Sequence, residues 1–492
     1  MSGGPTSPGQ SIRVSAFFTV GGSALQFSIL FFGSVIIARL LTPEEMGVFA
    51  IAVTANGLVF ALQNTGVSQY IVAEQTLSAR RLGALLTLQA LQSAAMAAVL
   101  VLLSFALAEI LDEPRVVPAI SLLSVATLLG PWELVAGGLL QREMRFGRLF
   151  VISVSKAVVT TAVAIVAAAN GFSYASLALG TVAGAAAGSA LGLAFCWRRI
   201  RVRPNLEGWR HYWRFGSAML GITAVTNLCS RTGIIVLGRL TDMASVGLFS
   251  RAAGITEMVQ LGVMEPLGRL VLPTLAAQRR AGSDLSRTYL RAAAVITALN
   301  WAAFGGVAVL ADPLIALIYG PTWLPAAPVL VWLCIARMLV ELVVSPIELM
   351  VATERLHLLT RVLCVRSVIG LAAFSAGAWV GLEWAAAGRA LEAWVGVCLT
   401  LPLVRAAAGV TLGELSRVWG VSLIAAATAV APSATWMQMQ GWPSEVAPQI
   451  LAALILVGAL GWLLVLFAFG HEIWGQVRQM CSLAAFRPQG RR

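Results

Sequence analysis

Charged residues are scarce in this sequence. Only 11% of its 492 residues are Asp, Glu, Lys or Arg, whereas 59% are hydrophobic. Globular domains average about 25% charged and about 45–50% apolar residues. Lys156 is the only lysine, so nearly all of the positive charge behind the formal net charge of +12 comes from arginine. This composition and the repeated long apolar runs predict a polytopic membrane protein.

Cysteine and histidine are also rare and widely spaced. The six cysteines form no Cys-x-x-Cys pair, and His211, His357 and His471 lie far apart. This spacing argues against a disulfide framework and against a metal centre. The sequence also lacks Gly-x-Ser-x-Gly, Walker and His-Glu-x-x-His motifs. We therefore expect no cofactor, no metal and no catalytic residue, and we interpret the protein as a secondary transporter rather than an enzyme.

Arginine is concentrated in short segments between the apolar runs. The segment 197–214 contains six arginines, and each would cost about 2.5–3.5 kcal/mol at the centre of a membrane helix. The positive-inside rule assigns this segment and the other arginine-rich connections to the cytoplasm. The predicted outward connections contain few arginines, namely Arg39, Arg115, Arg239 and Arg389.

An internal repeat divides the chain. Residues 39–49 recur as 239–249 at a constant offset of 200, and in each copy six residues separate an Arg-Leu pair from a glycine. Gly47 and Gly247 predict a close helix contact. Six predicted spans separate the copies, and this even number predicts parallel repeats related by an axis along the membrane normal.

The repeated segment also contains helix-start signals. Thr42 and Glu45 flank Pro43 and Glu44 in a pattern that predicts a capping box with proline at the first helical position. Asp242 is expected to cap the helix that begins the second copy.

The predicted fold class is all-α, with about fourteen transmembrane helices of roughly 20–25 residues. Two pseudo-symmetric six-helix lobes are followed by two further helices. The predicted spans lie at about 14–38, 46–72, 83–110, 116–140, 149–169, 172–196, 215–240, 246–272, 288–311, 326–352, 358–382, 384–406, 416–432 and 449–470. The predicted domains are a cytoplasmic tail (1–13), an N-lobe (14–196), a basic cytoplasmic linker (197–214), a C-lobe (215–406), spans 13 and 14 (407–470) and a cytoplasmic tail (471–492). Both termini are expected in the cytoplasm, and the first apolar run is expected to remain as span 1.

Polar side chains within the predicted spans are the candidate functional residues, because they are costly there. In span 7, Thr223, Asn227 and Arg231 recur every four residues and form one polar stripe. The repeat aligns the last two positions with Phe27 and Phe31 in span 1. We expect the cation and amides to bind an anionic group and the aromatic rings to hold a sugar or lipid.

Carboxylates in the second lobe suggest other roles. Glu257 is an alternative counter-ion for Arg231, and both interpretations stay open. Span 10 contains Arg337, Glu341 and Glu348, with a proline between the two acids that predicts a kink. Kinked helices with buried carboxylates are candidates for ion sites in secondary transporters. Glu257, Glu341 and Glu348 are therefore the candidate ion-coupling residues. An internal Arg337–Glu341 pair is the alternative, although it leaves Glu348 unexplained.

The remaining polar candidates are a charged pair near the inner side, two amides in span 2 and an outward turn. Lys156 and Glu133, near the inner side, contact either substrate headgroups or each other. Asn56 and Gln63 suit sugar hydroxyls, but amides also join helices. The outward turn 320–323 is expected to be an interfacial anchor. The substrate-binding candidates are Thr223, Asn227, Arg231, Lys156, Arg337, Phe27, Phe31, Asn56 and Gln63.

Three segments carry a family resemblance. Residues 35–50 (VIIARLLTPEEMGVFA), 238–252 (GRLTDMASVGLFSRA) and 320–330 (GPTWLPAAPVL) resemble the polysaccharide-transport branch of the multidrug/oligosaccharidyl-lipid/polysaccharide flippase superfamily. The likeness is closest to Wzx-type flippases and exporters of the colanic-acid and succinoglycan kind. It implies two lobes in a V, alternating access and a cationic central cavity. It also implies that undecaprenyl-diphosphate-linked oligosaccharide moves from the inner to the outer leaflet, with spans 13 and 14 forming a groove for the lipid tail.

The expected function is translocation of such a lipid-linked glycan across the bacterial inner membrane, for exopolysaccharide, capsule or O-antigen synthesis. The expected partners are the substrate, membrane lipids and a polysaccharide polymerase and co-polymerase, with no nucleic acid. One alternative is a multidrug efflux antiporter of the same superfamily, against which the excess of arginine over unpaired acid argues. The other is an O-antigen polymerase or ligase. Such enzymes usually carry a large periplasmic loop, whereas the longest predicted outward loop here is about 433–448.

Overall fold

The protein is all-α over the residues described by the computed structural model. These are 25–63, 67–74, 77–200, 204–205, 228–229, 231–264, 271, 275, 278–279 and 285–469. Within these ranges, ten helices are long and apolar enough to cross a membrane, and the total of fourteen spans stays a prediction. The chain divides into two compact units, Met1–Ser250 (unit 1) and Arg251–Arg492 (unit 2). The lobe boundaries expected from the sequence also remain predictions.

Unit 1 packs mainly around two of its long helices, α5 and α7. Its described helices are α1 (Leu25–Leu40), α2 (Pro43–Gln63), α3 (Val67–Ala73), α4 (Ala79–Leu111), α5 (Val116–Arg142), α6 (Phe146–Ala169), α7 (Ala175–Ile200), α8 (231–240) and the start of α9 (Met243–Val259). Glycine occupies every fourth position of one α7 face, at 180, 184, 188 and 192. A Cβ at Gly180 would lie 2.5 Å from the Thr160 carbonyl oxygen on α6. Small residues therefore bring α7 into backbone contact with α6, as in other membrane helix pairs.

The helix starts predicted in the two repeats are confirmed. The Thr42 amide donates to Glu45 Oε2 at 2.8 Å, and the Glu45 amide donates to Thr42 Oγ1 at 3.3 Å, which is a complete capping box. In the second copy the Ser245 amide donates to Asp242 Oδ1 at 2.6 Å. The predicted glycine contact is also confirmed, because a Cβ on Gly47 would overlap the carbonyl of Met243 where α2 crosses α9.

The connections between helices at one end of unit 1 are held together by charge. Arg115 donates to both carboxylate oxygens of Glu113 at 2.7 Å, and also to Glu44 beside the start of α2. The hydrogen bond from Arg115 lowers the pKa of the Glu113 carboxyl below its usual value. Since Glu113 precedes α5 and Glu44 begins α2, the cluster joins two connections that are far apart in sequence.

Unit 2 contains the remaining helices. Its described elements are the rest of α9, a π-helical turn (Gln260–Met264), α10 (Leu285–Val309), α11 (Ala311–Ile318), a 3₁₀ turn (Pro321–Ala326), α12 (Ala327–Val340), α13 (Pro346–Ala352), α14 (Leu356–Val380), α15 (Leu382–Ala408), α16 (Leu412–Met439) and α17 (Pro448–Ala468). The last two helices dock on α10 through polar contacts. Thr297 and Ser422 share a hydrogen bond of 2.8 Å, and the Trp462 indole donates to the Ala298 carbonyl at 3.1 Å.

Span 10 is broken rather than merely kinked. Helix α12 ends at Val340 and α13 begins at Pro346, with Ser345 at a φ of 44°. The Tyr289 hydroxyl donates to the Val344 carbonyl at 3.1 Å, and so satisfies one of the acceptors that the break releases. The predicted proline effect is therefore confirmed and extends over five residues, 341–345.

The predicted length of span 13 is wrong. Helix α16 begins after a capping box at Thr411 and Glu414 and continues to Met439, past Pro432. Because the membrane helix tolerates an interior proline, the following connection is 440–447, shorter than the predicted outward loop.

Candidate functional site

Arg231 is the first residue of α8 and is half-buried in unit 1. It precedes the end of α8 by nine residues, which is about 14 Å along a helix axis and close to half the thickness of a bilayer core of about 30 Å. A Cβ added to Gly57 would lie 2.8 Å from Arg231 Nε and closer still to Cζ. The guanidinium is therefore seated on the bare backbone of α2. Among the described residues, none forms an ion pair with it.

The aromatic rings aligned with this stripe lie on α1. Phe27 and Phe31 stack with centroids 6.4 Å apart and an interplanar angle of 13°, and Phe32 meets Phe31 edge-on at 5.4 Å. Two half-buried rings thus form a flat apolar surface, of the kind on which a sugar ring can lie.

The amide candidates differ in what the structure describes. Asn56 Oδ1 accepts a 3.0 Å hydrogen bond from Thr127 Oγ1, so this side chain joins α2 to α5. Thr223 and Asn227 lie outside the described residues, as does the side chain of Gln63. The stripe predicted in span 7 is therefore described only at Arg231.

Lys156 and Glu133 contact each other. Lys156 Nζ lies 2.8 Å from both carboxylate oxygens of Glu133, which joins α6 to α5. A Cβ at Gly188 of α7 would lie 3.1 Å from Glu133 Oε2, so a third helix covers the pair. The alternative of mutual pairing is the one observed, and the charge of Lys156 is neutralised within unit 1.

The second-lobe charges pair differently from the sequence expectation. Arg337 Nη2 donates to Glu257 Oε1 at 2.8 Å, a contact between α12 and α9, rather than pairing with Glu341. Glu341 is the first residue of the break after α12, and Glu348 lies in the first turn of α13. The structure thus places one candidate carboxylate in an ion pair and two beside a helix break.

Two other expectations are wrong. Trp323 is not an interfacial anchor, because it is only 1% exposed and packs beside the equally buried Tyr319. Arg389 does not lie in an outward connection but within α15, where it pairs with Glu392. The α15 helix begins at Leu382, so Arg389 is two turns inside it.

Beside Arg389 lie two further charged residues that the sequence analysis did not single out. Arg366 on α14 and Glu392 on α15 lie within 3.6 Å of each other, inside predicted spans. The rule that singled out Arg231, an ionisable residue within an apolar run, would have identified both.

Solved structures of two membrane transporters resemble the fold over most of the chain. The lipid II flippase MurJ in an inward closed conformation aligns with a TM-score of 0.71 at 12% identity, covering 94% of this chain and 99% of MurJ. An inward-facing multidrug resistance MATE family transporter aligns with a TM-score of 0.59 at 13% identity, covering 81% of this chain and 99% of the transporter. At such low identity the likeness shows the fold alone.

Curated proteins that are similar to this chain are named for polysaccharide biosynthesis. The lipopolysaccharide biosynthesis protein WzxC of Escherichia coli (strain K12) is 22% identical over 317 residues, which is 62% of either chain. The succinoglycan biosynthesis transport protein ExoT of Rhizobium meliloti (strain 1021) is 24% identical over 343 residues, 68% of this chain and 67% of ExoT. The chain thus matches about two thirds of the length of each. Residues 36–328 match the family model described as polysaccharide biosynthesis protein. This match extends over more than half of the chain, which therefore belongs to the polysaccharide biosynthesis protein family of multi-pass membrane proteins.

Proposed function

We propose that the protein translocates an undecaprenyl-diphosphate-linked oligosaccharide across the bacterial inner membrane, for exopolysaccharide, capsule or O-antigen synthesis. Membership of the polysaccharide family and the MurJ-like fold support this proposal. The observation that carries it is Arg231, a half-buried guanidinium nine residues before the end of α8, with no ion-pair partner among the described residues. A diphosphate would supply the missing counter-charge, and arginine binds phosphate in a bidentate geometry.

The other candidate residues divide by their contacts. Arg231 binds the diphosphate, while the stacked rings of Phe27 and Phe31 hold a sugar and the polyprenyl chain stays in the lipid. Thr223, Asn227 and Gln63 are proposed to add polar contacts. Lys156, Arg337 and Asn56 already have protein partners, so their contribution to binding is expected to be smaller. Rocking of the two lobes about the basic linker 197–214 would expose the substrate to each side in turn.

We propose that ion coupling uses the carboxylates beside the helix break. Glu257 is occupied by Arg337, which leaves Glu341 and Glu348 as the better candidates. A break of this kind frees backbone carbonyls beside the acids, and such carbonyls coordinate cations in transporters. The proposed orientation has both termini in the cytoplasm, and the proposed partners include a polysaccharide polymerase and its co-polymerase.

The test is the substitution Arg231→Ala. We expect it to reduce translocation of lipid-linked glycan at least about tenfold, because a charge-assisted contact to the headgroup is lost. Translocation is measured in cells that depend on this transporter, with the membrane level followed by immunoblot. The matched control is Arg361→Ala, which removes an exposed arginine at the start of α14. Normal translocation by Arg231→Ala at an unchanged membrane level would remove Arg231 from the site.

A further inference from the structure

Three charged side chains meet between α14 and α15 in unit 2: Arg366, Arg389 and Glu392, called here the charged triad. Arg389 Nη1 donates a 2.8 Å hydrogen bond to Glu392 Oε2. The Arg389 guanidinium also lies 4.7 Å from the centroid of the Phe374 ring. Arg389 is therefore held on two sides, by a charge-assisted hydrogen bond and by a cation–π contact.

Arg366 carries the positive charge of the triad that Glu392 does not fully balance. Its Nε lies 3.6 Å from Glu392 Oε1, which is beyond hydrogen-bonding distance. This nitrogen is buried and has no hydrogen-bond partner among the described residues. Two guanidinium groups share one carboxylate, so the triad has a net charge of +1.

The triad lies at hydrocarbon depth. Arg366 follows the start of α14 by ten residues and Glu392 follows the start of α15 by ten, which is about 15 Å in each case. Half of a bilayer core is also about 15 Å. Both side chains therefore lie near the middle of the core if their helices begin at its surface.

Two glycines make room for the triad between the helices. A Cβ at Gly396 of α15 would lie 2.8 Å from Arg366 Nε, and a Cβ at Gly370 of α14 would overlap the side chain of Glu392. Arg366 thus points at α15, away from the exposed apolar stripe of α14 that contains Val365 and Val368. The packing of α14 against α15 therefore fixes the position of Arg366, which faces the neighbouring helix and not the lipid.

We propose that Arg366 is a second anion-binding residue of this transporter, which contacts a phosphoryl or carboxylate oxygen of the lipid-linked glycan. This inference rests on the proposed function. A guanidinium inside a membrane that shares its carboxylate with a second arginine is only partly neutralised, and such a costly charge marks a substrate pathway or a partner. Its planar fork of donors suits the oxygens of phosphate and carboxylate. The carboxylate of Glu392 fixes Arg389 and leaves Arg366 for the ligand.

The experiment measures equilibrium binding of undecaprenyl phosphate to the full-length protein in dodecylmaltoside micelles. Arg366→Gln is expected to weaken binding about tenfold, the effect of one lost charge-assisted contact. Arg361→Gln is the matched control, five residues earlier on α14 and exposed, and should bind as the wild type does. Glu392→Gln leaves both arginines without their carboxylate and is expected to bind at least as tightly as the wild type. Undecaprenol, which lacks the phosphate, and phosphatidylglycerol are the comparison lipids.

Each contrary outcome has one meaning. If the triad only fixes α14 to α15, Arg366→Gln and Glu392→Gln lower the melting temperature together while undecaprenyl phosphate binds normally, and the proposal is overturned. Equal competition by phosphatidylglycerol would assign Arg366 to a phospholipid and also overturn it. Loss of binding in Arg231→Gln with normal binding in Arg366→Gln would overturn this inference alone. A wild type that binds undecaprenol as well as undecaprenyl phosphate would contradict the proposed function too.

Discussion

At the scale of single residues, the charges inside the helices differ in whether the protein neutralises them. Lys156 and Arg337 each have a carboxylate partner on another helix at 2.8 Å. Arg231 has none among the described residues, and Arg366 shares one that Arg389 already binds. In a medium of low dielectric constant this difference is large. Arg231 and Arg366, whose guanidinium groups the protein neutralises least, are therefore the better ligand candidates.

The sequence predicted which residue types matter but did not settle which of them pair: it left the Lys156–Glu133 pair as one of two alternatives and gave Glu257 as a partner of Arg231, not of Arg337. An ionisable residue within an apolar run is visible in the sequence, and this rule found Arg231, Lys156 and Glu257. The partner of Lys156 lies 23 residues away on α5 and that of Glu257 lies 80 residues away on α12. Such pairings depend on how helices rotate against each other, which no local pattern specifies.

Gly57 is predicted to position Arg231. In Gly57→Ala the new methyl group would occupy the space of the guanidinium, and a flexible arginine side chain can move away. We therefore expect an unchanged melting temperature but a translocation rate reduced by several-fold, since a displacement of about 1 Å can cost about a hundredfold in a positioned site. The rate is measured in the assay used for Arg231→Ala.

The control for this substitution is Gly137→Ala on α5. A Cβ at Gly137 would meet nothing within 4 Å, so translocation should stay at the wild-type level and stability at that level or slightly above it, because alanine favours a helix over glycine. Equal translocation by Gly57→Ala and Gly137→Ala would mean that the seat of Arg231 on α2 has no role in transport.

At the scale of elements, local chemistry predicted where helices begin and break. The capping box at Thr42, the cap at Asp242 and the proline in span 10 each act through neighbouring residues, so the sequence was sufficient. The glycine at every fourth position of α7 is equally visible in the sequence, and it predicts the close contact with α6. The extent of α16 past Pro432 was not predictable, because packing against neighbouring helices decides whether an interior proline ends a membrane helix.

Tyr289 is predicted to hold the break between α12 and α13. Tyr289→Phe removes the hydroxyl and leaves the buried Val344 carbonyl without this donor. An unsatisfied buried acceptor costs about 1–3 kcal/mol, so the melting temperature in detergent should fall. If Glu341 and Glu348 bind the coupling ion, the dependence of translocation on that ion should weaken as well.

Tyr174→Phe, in the connection before α7, is the control for removal of a tyrosine hydroxyl. It should melt as the wild type does. An equal loss of stability in both variants would show that the effect does not come from the helix break.

At the scale of the whole molecule, the duplication is visible as a reciprocal contact. Gly47 of α2 packs on the backbone at Met243, while Gly247 of α9 packs on the backbone at Pro43. The same position of each repeat therefore faces the start of the other copy. The sequence predicts this crossing because glycine recurs at a fixed offset. The residues that make the two copies functionally different, such as Arg231 aligned with Phe31, are those at which the repeat is not conserved between its copies.

The reciprocal crossing leads to a test of coupling between the two repeats. In Gly47→Ala and in Gly247→Ala the methyl group would overlap a backbone carbonyl, which cannot rotate away, so α2 and α9 must separate. We expect each variant to lose about 1–3 kcal/mol of stability, as overpacked interiors do. The double variant should lose less than the sum, because the first displacement already makes room for the second methyl group.

Gly254→Ala on α9 controls for the change of residue type, since a Cβ there meets nothing within 4 Å. Alanine favours a helix over glycine by about 0.8–1.0 kcal/mol, so this variant should be as stable as the wild type or more so. Melting temperatures of the four proteins in detergent check the cycle. Additive losses at Gly47 and Gly247 would mean two independent contacts. A coupled loss supports one crossing point at which both copies of the repeat must fit together.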